Sequence, residues 1–472
     1  MITQIKIDGF KTFKDFKVEL APFQVIVGAN GSGKSNLFDA LHLLSRLAEV
    51  DLRTAFQELR GDAHELFTLL PNGQHTKQIR MAVELLVNRN IQDSLGKEAE
   101  LTYTRLRYEI AITQRTDERG LEQLQVINES LRLIPQSEDT WCKKYEIPAL
   151  MYELPHQANR IQSFIGTFNA RPAMPTLIEP LTICLYADGE GQEREYLAEK
   201  VQRTVLSTII STNYPHSFAV RQEILSWKFL NLDPKELRKP SSINDPAFLT
   251  KDGGNLPATL ARMQAEDSFA MTGVSLDMAN LVPGLLNIKV DKNVARSEYD
   301  IWAETDDEIT FSANVLSDGT LRLLALASIR NDAQFQGVLC LEEPENGVHP
   351  LHLKNMAYLL REMATNFNNP LPGDLPLRQI LITTHSAALI SQPAVIDALL
   401  LAFTVKKGGI HVTRMEPVIT PQAQSQIEEV RNRERAMEVY TLDTVQQYLQ
   451  RETVDEASNQ LKKVRMITDI ER

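Results

Sequence analysis

The chain has 472 residues, of which 43% are hydrophobic and 24% are charged, and its formal net charge is -12. This composition excludes a largely disordered chain, and the acidic balance argues against a surface built for non-specific nucleic-acid binding. Three cysteines without metal-ligand spacing argue against a disulfide scaffold and favour a reducing compartment. Since no apolar run approaches ~20 residues and no signal-peptide pattern is present, we expect a cytoplasmic protein without a membrane span.

The N-terminal third predicts strands around one helix. Residues 2–8 alternate between apolar and polar side chains, and residues 16–20 and 23–27 also predict strands. Apolar residues at helical spacing predict a helix over 33–47, directly after a glycine-rich segment. Residues 78–133 are rich in strand formers, which predicts an extension of the first sheet.

The remainder of the chain predicts an irregular segment followed by a return to an α/β pattern. Residues 134–180 carry six prolines. Helices are predicted within 190–230 and from about 256, and short strands at 286–290, 298–302 and 308–311. Then come a helix over 318–329, a strand over 337–341, a helix over 350–363 and a strand over 379–383. This alternation predicts a parallel sheet, and residues 422–472 predict a polar, mostly helical tail.

Residues 28–35, GANGSGKS, match the phosphate-binding pattern G-x-x-x-x-G-K-[ST] without deviation. Glycines let the backbone N–H groups turn toward phosphate oxygens, and the helix that follows adds its positive end. Lys34 would reach the β- and γ-phosphates, and Ser35 would hold Mg²⁺. The residues predicted to bind the nucleotide here are Gly28, Asn30, Gly31, Ser32, Gly33, Lys34, Ser35 and Asn36. An Asn-Lys-x-Asp element for guanine is not found, so we expect ATP.

An apolar strand that ends in two carboxylates supplies the acidic partner of this loop. In the sequence VLCLEE, Glu342 would orient the Mg²⁺ shell, and Glu343 would act as general base on the attacking water. A serine-glycine turn before a helix, Ser317 to Gly319, offers an anion site of its own. A further strand delivers His385 about 40 residues after the acidic pair. The serine-glycine turn and the histidine are each weak evidence alone. Their order and spacing relative to the acidic pair strengthen the prediction.

The motifs LSDGT, LEEPENGVHP and TTHS, after a P-loop and a long insertion, resemble the ABC-type ATPases of the RecF/SMC/OLD group. They are also similar to stand-alone "AAA family" ATPases of bacteria, many of which are encoded beside nucleases in anti-phage defence modules. The opening GFKTF is similar to the start of SMC and RecF heads. The resemblance covers about residues 1–45 and 305–405.

The resemblance implies a sandwich of two heads around two ATP molecules. Ser317, Asp318 and Gly319 of one protomer would contact the γ-phosphate that Lys34 of the other holds. His385 would sense the γ-phosphate beside the general base Glu343, and residues 346–348 would cross the dimer interface. Lys11 and Phe13 are candidates for contact with the base, although Phe13 is equally expected in the core. A glutamine is expected at the metal side, and Gln57 is our candidate.

The expected fold class is α/β: an ABC-type P-loop NTPase head, with a mixed or parallel sheet flanked by helices, that carries an inserted α+β lid. The predicted units are 1–135 and 306–416 for the two parts of the head, 136–305 for the lid, and 417–472 for the helical tail. The prolines exclude the long coiled coil of SMC relatives from the insertion. Residues after 415 are too few and too helical for the nuclease domain of the OLD group.

The predicted function is an ATP-hydrolysing switch that closes a head-to-head dimer, or a higher oligomer, and controls a separate effector. The expected effector is a nuclease in anti-phage defence. The alternative is a RecF-like ATPase of DNA repair or chromosome maintenance that clamps DNA directly, so nucleic acid stays a possible partner. A third reading, a scaffold that holds ATP without turnover, is disfavoured by the presence of both Glu343 and His385.

Overall fold

The first three predicted strands end up in two different sheets. The computed structural model describes residues 1–116, 120–152, 163–169, 181–186, 193–368, 377–419 and 440–449. Within these residues Ile2–Asp8 (β1) and Phe16–Glu19 (β2) begin an antiparallel sheet, whereas Phe23–Val27 (β3) joins a mainly parallel one. The chain therefore crosses from one sheet to the other between β2 and β3, the strand that leads into the glycine-rich loop.

The antiparallel sheet has eight strands in the order β11-β10-β9-β8-β7-β4-β1-β2. Their bounds are Ile2–Asp8 (β1), Phe16–Glu19 (β2), Gln78–Leu86 (β4), Arg105–Thr116 (β7), Glu122–Leu133 (β8), Ser163–Asn169 (β9), Leu181–Leu185 (β10) and Arg194–Leu197 (β11). Between β4 and β7 the chain forms a separate two-stranded hairpin, Asn90–Gln92 (β5) with Glu98–Glu100 (β6). The predicted β-rich segment 78–133 is confirmed.

The second sheet has seven strands in the order β12-β17-β18-β3-β19-β20-β21. Their bounds are Phe23–Val27 (β3), Lys228–Leu230 (β12), Gly337–Glu342 (β17), Arg378–Thr384 (β18), Leu399–Lys407 (β19), Ile410–Ile419 (β20) and Tyr440–Thr441 (β21). In this sheet β12, β17, β18, β3 and β19 are parallel to one another. β20 pairs with β19 in the antiparallel sense. All five residues of β3 are buried, as expected for a parallel strand covered on both faces.

A smaller sheet and the helices complete the architecture. The smaller sheet contains Ser241–Ser242 (β13), Leu285–Asn293 (β14), Glu298–Thr305 (β15) and Thr310–Ser312 (β16). The α-helices are Lys34–Leu47 (α1), Leu52–Gln57 (α2), Trp141–Lys144 (α3), Ala149–Tyr152 (α4), Pro215–Leu225 (α5), Pro234–Leu237 (α6), Leu256–Glu266 (α7), Ser268–Leu281 (α8), Asp318–Asn331 (α9), Leu353–Glu362 (α10), Ala387–Ile390 (α11) and Leu442–Leu449 (α12). Short 3-10 turns occupy 63–66, 198–200, 206–208, 313–315, 350–352 and 396–398. Among the helices that the structure describes, none has the length and apolar composition needed to cross a membrane.

Gln379 in β18 has a buried side chain that contacts the start of the other large sheet. Its Oε1 accepts from Ile2 N at 2.7 Å, and its Nε2 donates to Ile2 O at 2.7 Å and to Ala21 O at 2.9 Å. The side chain has no exposed surface. A strand of the parallel sheet thus completes the backbone hydrogen bonding at the start of the antiparallel sheet.

Most predicted elements are confirmed, and the prediction for one segment, residues 190–230, is wrong in part. The helices predicted over 190–230 are present only at Pro215–Leu225, because residues 194–197 form the edge strand β11 and residues 228–230 form β12. Of the predicted tail, α12 is helical, and the rest lies outside the described residues. The predicted unit limits stay a prediction. Strands from within 136–305 pair in all three sheets, since β9 to β11 extend the first, β12 borders β17 in the second, and β13 to β15 form part of the third.

A buried carboxyl group, Glu129 in β8, gives the fold an expected pH dependence. Its side chain accepts from Val205 N at 2.7 Å, from Leu206 N at 2.8 Å and from the Tyr108 hydroxyl at 3.1 Å. Burial raises the pKa of Glu129 from 4.5 to about 7, although these three hydrogen bonds oppose the rise. In the unfolded chain the carboxyl ionises at lower pH, so its contribution to the free energy of unfolding falls as the pH rises from about 4.5 to about 7.

We expect urea unfolding to show this titration when the protein is compared with the Glu129→Gln variant. The difference in free energy of unfolding between the two proteins should shift by on the order of 3 kcal/mol between pH 5 and pH 8, to the disadvantage of the wild type at the higher pH. Subtracting the two free energies of unfolding cancels the contributions of the other titrating groups, because the wild type and the variant share them. Parallel pH profiles would contradict the assignment.

Candidate functional site

The glycine-rich loop lies between β3 and α1, at the edge where the parallel strands end. β3 ends at Val27 and α1 begins at Lys34. Gly33, the N-terminal cap of the helix, has a φ of 95°, in the left-handed region that glycine adopts without strain. The loop borders a cavity of about 340 Å³. The described residues that line the cavity are Asn30, Gly31, Gly33, Lys34, Ser35, Asn36, Asn231, Glu342, Glu343, Asn346 and Thr383.

The Lys34 ammonium is held inside the loop. Its Nζ donates to Gly28 O at 2.6 Å and to Ala29 O at 3.0 Å. Burial lowers the pKa of the Lys34 amine, although the nearby carboxylates, Glu343 first among them, act in the opposite direction. Gly28 and Ser32, also predicted to bind the nucleotide, are buried and are not among the described residues that line the cavity.

The two carboxylates at the end of β17 have different surroundings. Glu342 lines the cavity and lies 3.8 Å from the Arg60 guanidinium. Glu343 has a φ of 47°, a left-handed conformation that non-glycine residues adopt rarely. This backbone turn lets its N–H donate to Thr383 O at 2.9 Å while its carboxylate lies on the cavity wall.

The Glu343 carboxylate is fixed at both oxygens. Oε1 lies 2.6 Å from His385 Nδ1, and Oε2 accepts from Asn346 Nδ2 at 2.8 Å. Burial raises the pKa of Glu343, but the hydrogen bonds from Asn346 and His385 and the charges of His385 and Lys34 outweigh it, so that the pKa is lowered. The carboxylate is therefore ionised at neutral pH and oriented toward the cavity, as a general base must be.

A third acidic residue of this turn, Glu345, stands in the LEEPENGVHP motif, but the sequence analysis gave it no role. Its side chain is 7% exposed, and Oε1 accepts from the Thr384 hydroxyl. Thr384 Oγ1 in turn accepts from Ser386 N at 2.9 Å. Burial raises the pKa of the Glu345 carboxyl. The turn after β17 is thus joined to the loop that carries His385 through Thr384 as well as through Glu343.

The predicted signature residues lie at the N-terminus of α9. Ser317 Oγ accepts from Thr320 N at 3.1 Å as an N-terminal cap, and Asp318 pairs with Arg238. A Cβ placed on Gly319 would lie 2.4 Å from Gly347 O, so the helix packs backbone to backbone against the turn after β17. Among the described residues that line the cavity, none comes from the signature.

Three of the predicted ligands lie elsewhere. Phe13 has no exposed surface, and its ring packs 4.4 Å from that of Phe16, so it belongs to the core and presents no face to a base. Lys11 Nζ pairs with Asp39 at 2.6 Å, outside the cavity lining that the structure describes. Gln57 is exposed at the end of α2 and is likewise not part of that lining.

An amide side chain does reach the cavity, from a residue that the sequence did not suggest. Asn231 directly follows β12, which is the parallel neighbour of β17. The carboxyl ends of adjacent parallel strands meet at one edge, so Asn231 lies beside the acidic pair. The available signal was the four-residue segment WKFL before a polar residue, which is too short, and interrupted by Lys228, to identify a strand.

Two family models match most of the chain in two segments. Residues 1–166 match the model described as "AAA ATPase domain". Residues 209–391 match the model described as "AAA domain, putative AbiEii toxin, Type IV TA system". The comparison with curated proteins gives no match.

Several solved structures are similar over nearly their whole length. The SmcHead bound to the C-winged helix domain of ScpA is 14% identical with a TM-score of 0.45, and the alignment covers 88% of this chain and 98% of that one. The SMC head domain from Thermotoga maritima is 12% identical with a TM-score of 0.38, covering 89% and 99%. The Smc head domain with a coiled coil and joint from Pyrococcus yayanosii is 12% identical with a TM-score of 0.42, covering 91% and 99%.

These TM-scores are low, so the family follows from the motifs, the assembled site and the two family models. The P-loop, the acidic end of β17 and the histidine after β18 meet at one sheet edge, as the resemblance implied. The matched segments contain all of these motifs. The chain therefore has the fold of an ABC-type P-loop head, and its two matched segments are similar to AAA ATPase domains, in line with the resemblance to the RecF/SMC-like group.

Proposed function

We propose that the protein is an ATP-hydrolysing switch whose nucleotide site is completed by a second copy of the chain and whose closure controls a partner protein. The observation that carries the proposal is the Glu343 carboxylate, which His385 and Asn346 hold at the wall of the cavity that contains Lys34. A nucleotide-binding loop alone supports retention of ATP. An ionised carboxylate fixed at both oxygens beside that loop supports its hydrolysis.

The residues of the cavity fit a triphosphate with its cation. The volume of about 340 Å³ falls in the range of ligand sites, and the loop contributes backbone amides at the start of α1. Ser35 and Glu342, both on the cavity wall, supply the hydroxyl and carboxylate oxygens that Mg²⁺ prefers. When bound, Mg²⁺ would neutralise charge on the β- and γ-phosphates. Phosphate oxygens would compete with Gly28 O and Ala29 O for the Lys34 ammonium.

In the proposed reaction a water molecule attacks the γ-phosphorus and Glu343 accepts the proton that the water loses. The bond from the γ-phosphorus to the bridging oxygen breaks, which releases ADP and phosphate. His385 keeps Oε1 of Glu343 in place and Asn346 keeps Oε2 in place, so the carboxylate reaches the reaction without reorganisation. Lys34 stabilises the charge on the phosphates.

The position of the signature supports assembly of two heads. Ser317, Asp318 and Gly319 offer a helix N-terminus for an anion, yet they are not among the described residues of the cavity in their own chain. A second copy that brings this helix to the γ-phosphate would complete both sites at once. The turn 343–348, which contacts both Gly319 and His385, would then connect the two sites.

The proposed partner is a separate effector, a nuclease in anti-phage defence. The description of the family matched by residues 209–391 names a toxin system, which supports a partner-controlled module. The net charge of -12 favours a protein partner over direct clamping of DNA. The three cysteines are free and buried, which supports a reducing compartment such as the cytoplasm.

The experiment that tests the switch is the solution mass of Glu343→Gln with and without ATP and Mg²⁺, by light scattering. The substitution should block hydrolysis and retain the closed state, so ATP is expected to double the mass. Lys34→Ala is the matched control, which should not respond to ATP. An unchanged mass of a monomeric Glu343→Gln protein that binds ATP would contradict the sandwich. ATP-dependent doubling that further requires DNA would favour the clamp.

A further inference from the structure

A chain of three side-chain hydrogen bonds ends on the backbone of the phosphate loop. Asn36 Nδ2 donates to Thr12 Oγ1 at 2.8 Å, Thr12 Oγ1 lies 2.7 Å from Thr413 Oγ1, and Thr413 Oγ1 donates to Ser32 O at 3.2 Å. The backbone adds a bond from Thr413 N to Thr12 O at 3.0 Å. Thr12 belongs to the turn between β1 and β2, whereas Thr413 belongs to β20, so both large sheets contribute to this chain.

The direction of each bond follows from the groups at the two ends. The Asn36 amide nitrogen can only donate, and the Ser32 carbonyl can only accept. Each threonine hydroxyl has one proton. Thr12 must therefore donate to Thr413, and Thr413 must donate to Ser32 O.

The contact between Thr413 and the loop is close as well as polar. Thr413 has no exposed surface. A Cβ placed on Gly33 would lie 2.1 Å from Thr413 Oγ1 and 2.9 Å from its Cγ2, which only a glycine at this position permits. Thr413 thus packs directly on the residue that precedes α1 and lines the cavity.

The bond to Ser32 O determines where the next amide points. In a trans peptide the C=O of Ser32 and the N–H of Gly33 point in opposite directions. Because Thr413 holds the carbonyl on its own side, the Gly33 N–H is turned away from β20 and toward the cavity that Gly33 lines. This is the direction that a bound phosphate oxygen requires.

We propose that Thr413 and Thr12 are positioning residues for nucleotide binding, because their hydroxyl groups hold the phosphate loop in the conformation that presents its amides. This inference rests on the proposed function in that the cavity must bind a triphosphate. It adds two residues, Thr12 within the GFKTF segment and Thr413 in β20, that set affinity without touching the nucleotide. The effect is on binding and not on the chemical step, since neither residue contacts Glu343 or His385 in the described hydrogen bonds.

The test compares Thr413→Val, Thr413→Ser and Thr12→Val by ATP and ADP affinity and by turnover at saturating ATP. Valine keeps the shape of threonine and removes the donor, which leaves the buried Ser32 carbonyl unpaired, so Kd should rise about tenfold. Serine keeps the hydroxyl and should bind within about twofold of the wild type. Thr12→Val should raise Kd less than Thr413→Val does, because in that variant the Thr413 hydroxyl can still donate to Ser32 O. kcat should stay within about twofold in all three variants.

Several results would overturn the proposal. These are unchanged affinity in Thr413→Val, equal weakening by the serine and valine variants, and a fall in kcat without a change in Kd. If Thr413→Val fails to fold, judged by its thermal transition without nucleotide, then Thr12→Val decides: unchanged affinity overturns the proposal, and weakened binding with normal kcat supports it. A wild-type protein that binds no ATP would instead contradict the proposed function.

Discussion

Replacement of Glu343 by glutamine should reduce ATP turnover by at least about 100-fold and leave ATP affinity nearly unchanged. Glutamine keeps the size of the side chain and can still bond with Asn346 or His385, but it cannot accept the proton of the attacking water. The measurement is steady-state phosphate release together with the equilibrium Kd for ATP. Such a split, with kcat lost and binding retained, is the signature of a group that acts in the transition state.

Glu304→Gln is a suitable control for this change. Glu304 pairs with Lys289 on the smaller sheet and does not contribute to the described cavity lining. It should turn over ATP like the wild type. If Glu343→Gln retained more than about a tenth of the wild-type turnover, another group would have to serve as the base.

Substitution of Gly319 by alanine should disrupt turnover from outside the cavity. The new Cβ would lie 2.4 Å from Gly347 O and 3.0 Å from Val348 Cα, and backbone atoms cannot move aside as a flexible side chain can. The turn after β17 must then shift, and it carries Asn346, which holds the Glu343 carboxylate. We expect a loss of on the order of 1–3 kcal/mol in stability and at least about a tenfold fall in kcat.

Gly254→Ala controls for the loss of a glycine. A Cβ at Gly254 meets its nearest atom, Asp252 Oδ1, at 3.4 Å, which is an ordinary contact. Thermal unfolding and phosphate release of the two variants can be compared directly. Equal behaviour of Gly319→Ala and Gly254→Ala would show that the contact between α9 and the turn has no part in turnover.

Much of the candidate site could be predicted from the sequence, because its motifs are short and each lies at or after the end of a strand. The glycine-rich loop follows β3, Glu342 is the last residue of β17, and His385 directly follows β18. These three strands are parallel neighbours. Parallel strands present their carboxyl ends at one edge, so local motifs far apart in sequence become a single site. The long apolar runs of these strands made them recognisable without any knowledge of pairing.

The parts of the site that the sequence did not predict depend on which strands become neighbours in the fold. Gln57 was chosen by its position in sequence, but the residue beside the acidic pair is Asn231, because the three-residue strand β12 borders β17. The contact between Thr12 and Thr413 joins positions 401 residues apart. Thr12 stands in the GFKTF segment, where the resemblance gave it no role, and Thr413 is a lone threonine in a strand, which has no periodic signal.

The side chain of Gln379 limits how the head can move. Its hydrogen bonds to Ile2 N and Ile2 O are buried, so a relative displacement of the two large sheets would leave these backbone groups unpaired. The two sheets should therefore behave as one cooperative unit in native-state hydrogen exchange, with the Ile2 amide opening only on global unfolding. Motions that follow nucleotide binding would then have to arise away from the junction of the two sheets, for example where the N-terminus of α9 packs on the turn after β17.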